Sequence, residues 1–239
     1  MRALLLAAGF GKRLLPLTQE IPKCLVTINK IPLLEYWLEI LIQGGITEIL
    51  INLHYLPEKV REFVQQSKYK RYITMVYEEK LVGTGGTLLK NRDFFCGDSV
   101  MLIHADNLSL FNISEFIDAH KNRPTGAEIT MMTFTTSTPE SCGIVQVNDK
   151  GIVLAFYEKI KNPPGNIANG AVFIIEPLVI EFLDSFYKEE IDFSKEVIPH
   201  YVGRIATYHN NLYHRDIGTL ESLQIAELDF PEVYKKYNK

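Results

Sequence analysis

The chain has few of the features that mark secreted or membrane proteins. Its only cysteines, Cys24, Cys96 and Cys142, form no C-x-x-C pair, which argues against a disulfide framework or a zinc knot. No uncharged apolar run approaches the ~18 residues of a membrane span. The apolar segment after Arg2 is broken by Gly9 and is too short for a secretory signal. We therefore expect a cytoplasmic protein that does not enter membranes.

Strong positive charge is also missing. The net charge is −4 and no block of basic residues stands out, which argues against a nucleic-acid groove or a polybasic membrane patch. The chain has no linker rich in Pro, Gly or Ser and no internal repeat, while 46% apolar residues suffice for a sizeable core. Any anionic ligand must therefore be bound by local cations.

The order of apolar runs predicts an α/β fold. Residues 3–9, 48–54, 73–79 and 100–106 have the composition of buried strands, and helical spacing in 32–45 and after Pro57 separates the first three. Parallel strands joined by helices are expected. Longer strands follow at 128–135, 143–148, 152–159 and 168–176, with helices at 114–122, 177–186, 193–201 and 219–229 and a strand at 204–209. We predict a Rossmann-like, mixed and mainly parallel sheet flanked by helices, with an added antiparallel portion.

The end of the first predicted strand has the chemistry of a phosphate-binding loop. Gly9-Phe10-Gly11 lets backbone N–H groups approach phosphate oxygens, and Arg13 and Lys23 supply positive charge. The Walker loop does not match, because Leu6 and Arg13 replace its first Gly and its Ser/Thr. The dinucleotide fingerprint G-x-G-x-x-G fails as well, since residue 14 is leucine. A tight turn carrying two surface cations remains the alternative.

Acidic residues follow other predicted strands. Asp106 ends one of them, where a carboxylate can hold Mg²⁺ against substrate phosphates, and Asp216 stands just before a predicted helix. For Asp216 a helix cap is the alternative, and for Glu158-Lys159 it is a surface ion pair. Asn169-Gly170 is equally compatible with a plain turn.

In their order along the chain, these motifs resemble those of sugar-1-phosphate nucleotidyltransferases, also called sugar-nucleotide pyrophosphorylases. The resemblance runs almost end to end and rests on Leu6–Leu14, Pro16–Thr18, Pro22-Lys23, Pro32–Leu34, Gly83–Gly86, Ala105–Asn107, Glu158-Lys159, Asn169-Gly170, Asp192–Pro199 and Asp216–Thr219. The sequence departs from the family at Lys12, where threonine is usual, and at Ala8, where many members have glycine.

The resemblance implies a Mg²⁺-dependent enzyme and a role for each matching residue. The implied catalytic residues are Arg13, Lys23 and Asp106, and the implied metal ligands are Asp106 and Asp216. The implied nucleotide-binding residues are Leu6, Ala7, Ala8, Gly9, Gly11, Lys12, Glu78, Gly83, Thr84 and Gly85. The implied sugar-phosphate-binding residues are Asn107, Gly143, Glu158, Lys159, Asn169 and Gly170.

The resemblance also implies a single domain, 1–239, with a nucleotide-binding half of about 1–125 and a sugar-binding half of about 126–239. The substrates would be a nucleoside triphosphate and a sugar 1-phosphate, and the sequence is most similar to mannose- or heptose-1-phosphate guanylyltransferases. UTP- or dTTP-dependent enzymes, for example for amino sugars, and a non-catalytic sugar-nucleotide sensor are the alternatives. Assembly into a homo-oligomer is compatible with the sequence. We expect no appended acyltransferase or regulatory module.

Overall fold

The computed structural model describes residues 1–237 as alternating strands and helices. The strands are β1 Arg2–Leu6, β2 Thr27–Ile28, β3 Ile31–Pro32, β4 Ile49–Leu53, β5 Ile73–Tyr77, β6 Val100–His104, β7 Asn107–Leu110, β8 Ile129–Thr135, β9 Gly143–Val147, β10 Val153–Glu158, β11 Ile167–Ile175, β12 Ile205–His209 and β13 Tyr213–Asp216. The helices are α1 Leu33–Gln43, α2 Pro57–Gln66, α3 Gly83–Lys90, α4 Arg92–Phe95, α5 Ile113–Lys121, α6 Pro177–Leu183, α7 Ile198–Tyr201 and α8 Leu220–Tyr237, and one turn of π-helix, Phe193–Val197, precedes α7.

Contacts divide the chain into two compact units, each built from separate chain segments. Unit 1 comprises Met1–Arg2, Leu81–Ile103 and Ser114–Asn211. Unit 2 comprises Ala3–Lys80, His104–Ile113 and the described residues from Leu212 onward. The predicted division into a nucleotide-binding and a sugar-binding half stays a prediction.

Unit 2 contains parallel strands flanked by helices. Strand β4 pairs in parallel with both β1 and β5, and every residue of β4 is buried. Such a continuous apolar run is typical of parallel strands covered on both faces. Helix α2 begins at Pro57, where a missing N–H costs no hydrogen bond, and α1 ends at Gln43 with Gly44 as its C-cap. A Cβ at Gly44 would lie 2.5 Å from Ile113 Cδ1, so glycine allows this close packing.

Unit 2 also holds two short antiparallel pairs, β2–β3 and β7–β13. The β7–β13 register sets Asn107 opposite Asp216. One apolar cluster packs these pairs against α1 and α8; it consists of Leu14, Val26, Ile28, Leu33, Tyr36, Leu108, Leu110, Ile217, Ala226 and Phe230. Through Leu108 and Ile217 this packing holds the backbone that follows Asp106 and Asp216.

Unit 1 contains the antiparallel portion. Strand β11 pairs antiparallel with β6, β8 and β9, and β9 pairs antiparallel with β10. Strand β12 adds to β8 in parallel. The β9–β10 register sets Gly143 opposite Glu158, which ends β10.

The predicted fold class, a mixed and mainly parallel α/β sheet flanked by helices with an antiparallel portion, is confirmed. The first strand ends earlier than predicted, at Leu6, because the Ala7 N–H turns to a side chain. Helix α8 runs on past the predicted end at 229 although it contains Pro231. Asn169 and Gly170 lie inside β11 rather than in a turn that precedes it. No helix within residues 1–237 is long and apolar enough to cross a bilayer.

Candidate active site

The phosphate loop predicted from the sequence leaves β1 in unit 2 and turns sharply at Gly11. Gly11 has φ +62° and precedes a short 3₁₀ turn, Lys12–Leu14. A Cβ at Gly11 would lie 2.9 Å from Thr18 Cγ2 and 3.2 Å from Lys23 Cβ, so this position needs glycine for both its conformation and its packing. Gly9 has open space around it, with nothing within 4 Å of an added Cβ.

Two hydroxyl groups hold this loop in place. Thr18 Oγ1 donates to the carbonyl oxygen of Gly11 at 2.8 Å, and Tyr55 Oη donates to the carbonyl oxygen of Thr18 at 2.8 Å. The ring of Phe10 packs edge-on against His54 at 5.2 Å between centroids, and Lys12 Nζ lies 5.4 Å from the Phe10 ring centroid. The loop is therefore shaped before any ligand binds, although it lies at the surface.

Four charged side chains predicted from separate motifs come together in unit 2. Lys23 Nζ donates to Asp106 Oδ2 at 2.8 Å and to Asp216 Oδ1 at 3.2 Å. Arg13 Nη2 lies 3.4 Å from Asp216 Oδ2. The Lys23 side chain is only 6% exposed, whereas that of Arg13 is 66% exposed. Two cations and two anions thus form one cluster of balanced formal charge.

Strand ends and a turn place these groups. Asp106 lies in the turn between β6 and β7, and Asp216 is the last residue of β13. Lys23 begins a 3₁₀ turn directly after Pro22. Thr219, whose Oγ1 accepts a hydrogen bond from the Ser222 N–H, caps the start of α8, so the alternative of Asp216 as the helix cap is wrong.

The surroundings favour an ionised Asp106. The carboxyl group is closely surrounded by protein atoms although its side chain keeps 35% exposure, and this desolvation alone would raise its pKa. The charges of Lys23 and His104 and the hydrogen bond from Lys23 outweigh desolvation and hold the pKa of Asp106 below its usual value. Asp106 is therefore a carboxylate across the physiological pH range.

The two carboxylates are a suitable but incomplete set of ligands for Mg²⁺. They are hard oxygen donors, and the 2.8 Å and 3.2 Å contacts show that both can reach one cationic atom. Among residues 1–237 no group of three or more His, Cys, Asp and Glu side chains could hold a metal ion. Magnesium is commonly bound by one or two carboxylates together with water and substrate phosphates, so Asp106 and Asp216 fit that role.

The structure places Glu78, one of the predicted nucleotide-binding residues, beneath the surface of unit 2. Its side chain is fully buried, and Glu78 Oε1 accepts a hydrogen bond from Asn52 Nδ2 at 3.3 Å. Asn52 Oδ1 in turn accepts a hydrogen bond from the Ala7 N–H at 2.8 Å. Because the Ala7 N–H can only donate, it fixes the orientation of the Asn52 amide and directs the amide NH₂ to Glu78. Glu78 is thus linked to the first residue of the phosphate loop.

The predicted sugar-phosphate residues belong to unit 1, except Asn107. Glu158 is 22% exposed, and a Cβ at Gly143 would lie 2.7 Å from Glu158 Oε2, so glycine leaves room for this carboxylate. Lys159 Nζ lies 3.6 Å from Glu158 Oε1, as the alternative of a surface ion pair predicts. Asn169 Oδ1 accepts a hydrogen bond from the Ala171 N–H at 2.9 Å, at an irregularity of β11 next to Gly170. Asn107 is buried in unit 2.

The glycine-rich segment Gly83–Gly86 also belongs to unit 1 and forms the first turn of α3. A Cβ at Gly83 would lie 2.4 Å from the Ile191 carbonyl oxygen, and the Gly85 N–H donates to that oxygen at 2.8 Å. Thr84 Oγ1 accepts a hydrogen bond from the Phe193 N–H at 2.8 Å. The glycines therefore serve close packing against the backbone of 189–193, in addition to any contact with a nucleotide.

Sequence reasoning missed three residues that shape the cluster in unit 2: Thr18, Asn52 and Gly218. Asn52 could have been noticed, because it is the one polar residue in the buried run of β4. A Cβ at Gly218 would lie 2.7 Å from both Arg13 Nη2 and Asp216 Oδ2, so glycine allows the two groups to meet. Thr18 and Gly218 lie within motifs of the resemblance, Pro16–Thr18 and Asp216–Thr219, but nothing in the sequence indicates which groups they contact.

Curated proteins with sequences similar to this chain include two sugar-1-phosphate nucleotidyltransferases. The rice (Oryza sativa subsp. japonica) protein named probable mannose-1-phosphate guanylyltransferase 1 is 34% identical over 205 residues, which cover 83% of this chain and 55% of the rice protein. The UTP–glucose-1-phosphate uridylyltransferase of Synechocystis is 28% identical over 213 residues, which cover 83% of this chain and 54% of that protein. The chain therefore spans about half the length of these curated relatives.

A solved structure has the same fold. The crystal structure of a Bacillus anthracis protein assigned as a glucose-1-phosphate thymidylyltransferase, in complex with a sucrose, superposes with a TM-score of 0.86. The match covers 95% of this chain and 94% of that chain at 22% sequence identity. The family model "Nucleotidyl transferase" matches residues 2–232, and the chain belongs to the nucleotidyl transferase family.

Proposed function

We propose that the protein transfers a nucleoside monophosphate from a nucleoside triphosphate to a sugar 1-phosphate and releases pyrophosphate. The observation that carries the proposal is the cluster of Arg13, Lys23, Asp106 and Asp216 at the phosphate loop of unit 2. Nucleotidyl transfer brings two polyanions together, and this requires positive charge and carboxylates that can bind a divalent cation. Family membership limits the chemistry to transfer of a nucleotidyl group.

The phosphate chemistry assigns a task to each charged group. An oxygen of the sugar phosphate is already an anionic nucleophile, so the chain need not supply a general base. Arg13 is exposed and can bind the phosphates that leave as pyrophosphate, and Lys23 can offset charge at the reacting phosphate. Asp106 and Asp216 would hold Mg²⁺, which supplies further neutralisation of phosphate charge when bound. Glu158 and Asn169 of unit 1 are assigned to the sugar.

We assign GTP and mannose 1-phosphate, or a related heptose phosphate, as the first substrates to test. The support is the similarity to the rice mannose-1-phosphate guanylyltransferase. The Synechocystis relative makes UTP with a hexose 1-phosphate the second candidate pair. We also propose a cytoplasmic location, since these nucleotides and sugar phosphates are cytoplasmic metabolites. Assembly into a homo-oligomer is a further proposal.

A pyrophosphate-release screen tests the proposed function. Purified protein is incubated with each of GTP, UTP, dTTP, ATP and CTP against a panel of sugar 1-phosphates, with Mg²⁺ or with excess chelator. We expect release with at least one pair, greatest with GTP, and loss of release in chelator. If no pair releases pyrophosphate, the proposed enzymatic activity is rejected, and a sensor that binds sugar nucleotides without turnover is favoured.

A further inference from the structure

The Lys23 ammonium group lies where the two implied metal ligands meet. Its Nζ is 2.8 Å from Asp106 Oδ2 and 3.2 Å from Asp216 Oδ1, so one nitrogen contacts both carboxylates. A shared divalent cation would need oxygens of the same two side chains. Lys23 therefore neutralises the groups that are assigned to the metal.

Packing holds Lys23 in this place. The side chain is 6% exposed, and an added Cβ at Gly11 would lie 3.2 Å from Lys23 Cβ, which shows how closely the loop covers the stem. Pro22 restricts the backbone just before the lysine. The ammonium therefore has little access to solvent, and its described salt-bridge partners are Asp106 and Asp216.

The balance of charge works against a free divalent ion. With Arg13 next to Asp216, the cluster of four side chains has no net formal charge, so little long-range attraction draws a cation to it. Mg²⁺ also gives up its water reluctantly. Displacing Lys23 would leave an ammonium group with little water around it, which is costly unless another anion replaces the carboxylates.

We propose that Lys23 is a placeholder cation: it occupies the shared oxygens of Asp106 and Asp216 until a triphosphate offers the ammonium group another anionic partner. A lysine suits this exchange because a compact charge on a flexible four-carbon stem can change partners more readily than the planar fork of an arginine. Metal binding and nucleotide binding are then coupled through one side chain. The proposal rests on the proposed function for the identity of the second anion.

Binding of Mn²⁺, as a spectroscopic substitute for Mg²⁺, tests the proposal without any substrate. Free Mn²⁺ is measured by electron paramagnetic resonance while metal is added to the wild-type protein and to the Lys23→Met variant. We expect weak binding to wild type and at least about tenfold tighter binding to Lys23→Met, because a unit charge a few ångströms from the metal is removed. The gain should disappear in Lys23→Met with Asp216→Asn.

Lys12→Met is the matched control. It removes the same charge from the same loop, but Lys12 Nζ lies over the Phe10 ring rather than on a carboxylate. Its Mn²⁺ affinity should stay within about twofold of wild type. Equal tightening in Lys12→Met would overturn the proposal, because net charge alone would then explain the effect. Tight Mn²⁺ binding to wild type, or no gain in Lys23→Met, would also overturn it.

A measurement on the wild-type protein covers the case in which Lys23→Met does not fold, which circular dichroism would show. Adding a non-hydrolysable GTP analogue should make the protein bind Mn²⁺ more tightly than the analogue's own affinity for the metal explains. If the Mn²⁺ bound equals the sum of what the protein and the analogue bind separately, the proposed coupling is rejected. Lys23→Gln provides a second neutral variant for the substrate-free titration. Since that titration contains no substrate, silence in the pyrophosphate screen would reject the proposed function and leave the placeholder result intact.

Discussion

Gly143 and Glu158 face each other across the β9–β10 pair, and a Cβ at position 143 would lie 2.7 Å from Glu158 Oε2 and 2.8 Å from the Phe156 ring. The glycine leaves the space that the Glu158 carboxylate occupies. Because Glu158 is assigned to the sugar, a substitution at residue 143 should change KM for the sugar 1-phosphate more than KM for the nucleoside triphosphate.

We expect Gly143→Ala to raise KM for the sugar 1-phosphate by about tenfold, because displacing one hydrogen-bonding carboxylate costs on the order of 1.5 kcal/mol of binding. KM for the nucleoside triphosphate should change little. Steady-state pyrophosphate release with one substrate varied at a time measures both values. Gln146→Ala, at an exposed position of the same strand, is the control. An equal rise in both KM values would contradict the assignment of Glu158 to the sugar.

Asp106→Asn should lower kcat by about 10²–10³ while the protein stays folded, since one electrostatic group that acts at the reacting phosphates is removed. Asparagine keeps the size of the side chain but removes the negative charge that contacts Lys23, so the variant should fold and unfold at a somewhat lower temperature than wild type. Initial rates of pyrophosphate release give the effect on turnover. Asp118→Asn removes a carboxylate from an exposed ion pair with Lys121 and should keep full activity. Turnover near that of wild type in Asp106→Asn would show that Asp106 has no part in the reaction.

The third prediction concerns the Asn52 side-chain amide, which accepts a hydrogen bond from the Ala7 N–H and donates one to the buried Glu78 carboxylate. Asn52→Leu keeps similar volume but leaves both groups without this partner. We expect a loss of roughly 1–3 kcal/mol in the free energy of unfolding for the orphaned N–H. We also expect a higher KM for the triphosphate, because Ala7 begins the phosphate loop.

Urea unfolding and steady-state kinetics measure the two effects of Asn52→Leu. Asn91→Leu is the control, since Asn91 Nδ2 donates to the Thr87 carbonyl oxygen within unit 1. It should cost some stability without changing KM for the triphosphate. If Asn52→Leu behaved in the same way, Asn52 would serve stability alone.

Much of this arrangement could be predicted from the sequence, because parallel strands deliver their carboxyl ends to one edge. The apolar runs before Gly9, Glu78 and Asp106 indicated three such ends, and the cations at 13 and 23 indicated an anionic ligand. The contact of Lys23 with both Asp106 and Asp216 could not be predicted, since it depends on the pairing of β7 with β13. Strand β13, Tyr-His-Arg-Asp, lacks a continuous apolar pattern, so nothing in its sequence predicts a strand.

The close contacts made by several glycines could not be predicted from the sequence either. The sequence around Gly218 and Gly143 does not indicate that each glycine faces a charged side chain, which only the folded structure shows. The glycines of 83–86 resembled a ligand loop, yet they pack on the backbone of 189–193, more than 100 residues away in the chain. Such contacts depend on tertiary structure and leave no periodic signal.

The last prediction concerns pH and His214, whose Nδ1 lies 2.5 Å from Ser109 Oγ. Burial lowers the pKa of His214 from 6.5 to about 4, and the charge of Asp216 opposes this shift only in part. At His214 the unfolded chain therefore binds more protons between these values, so this residue makes the free energy of unfolding fall as the pH falls from 6.5 toward 4. Burial lowers the pKa of His120 as well and raises the pKa of Glu35, so the wild-type slope also contains these two groups.

His214→Gln removes one of these titrations. Its free energy of unfolding should fall less steeply than that of wild type between pH 6.5 and 4.5, with a difference of at most about 1.4 kcal/mol per pH unit. Urea unfolding at pH steps across this range measures the slopes. Asp106 does not interfere, since its pKa lies below 3.8 and its stabilisation is lost only at lower pH. Gln146→Ala, at an exposed position and without a titratable group, should keep the wild-type slope. Parallel curves for wild type and His214→Gln would mean that His214 takes up a proton as readily in the folded protein as in the unfolded chain.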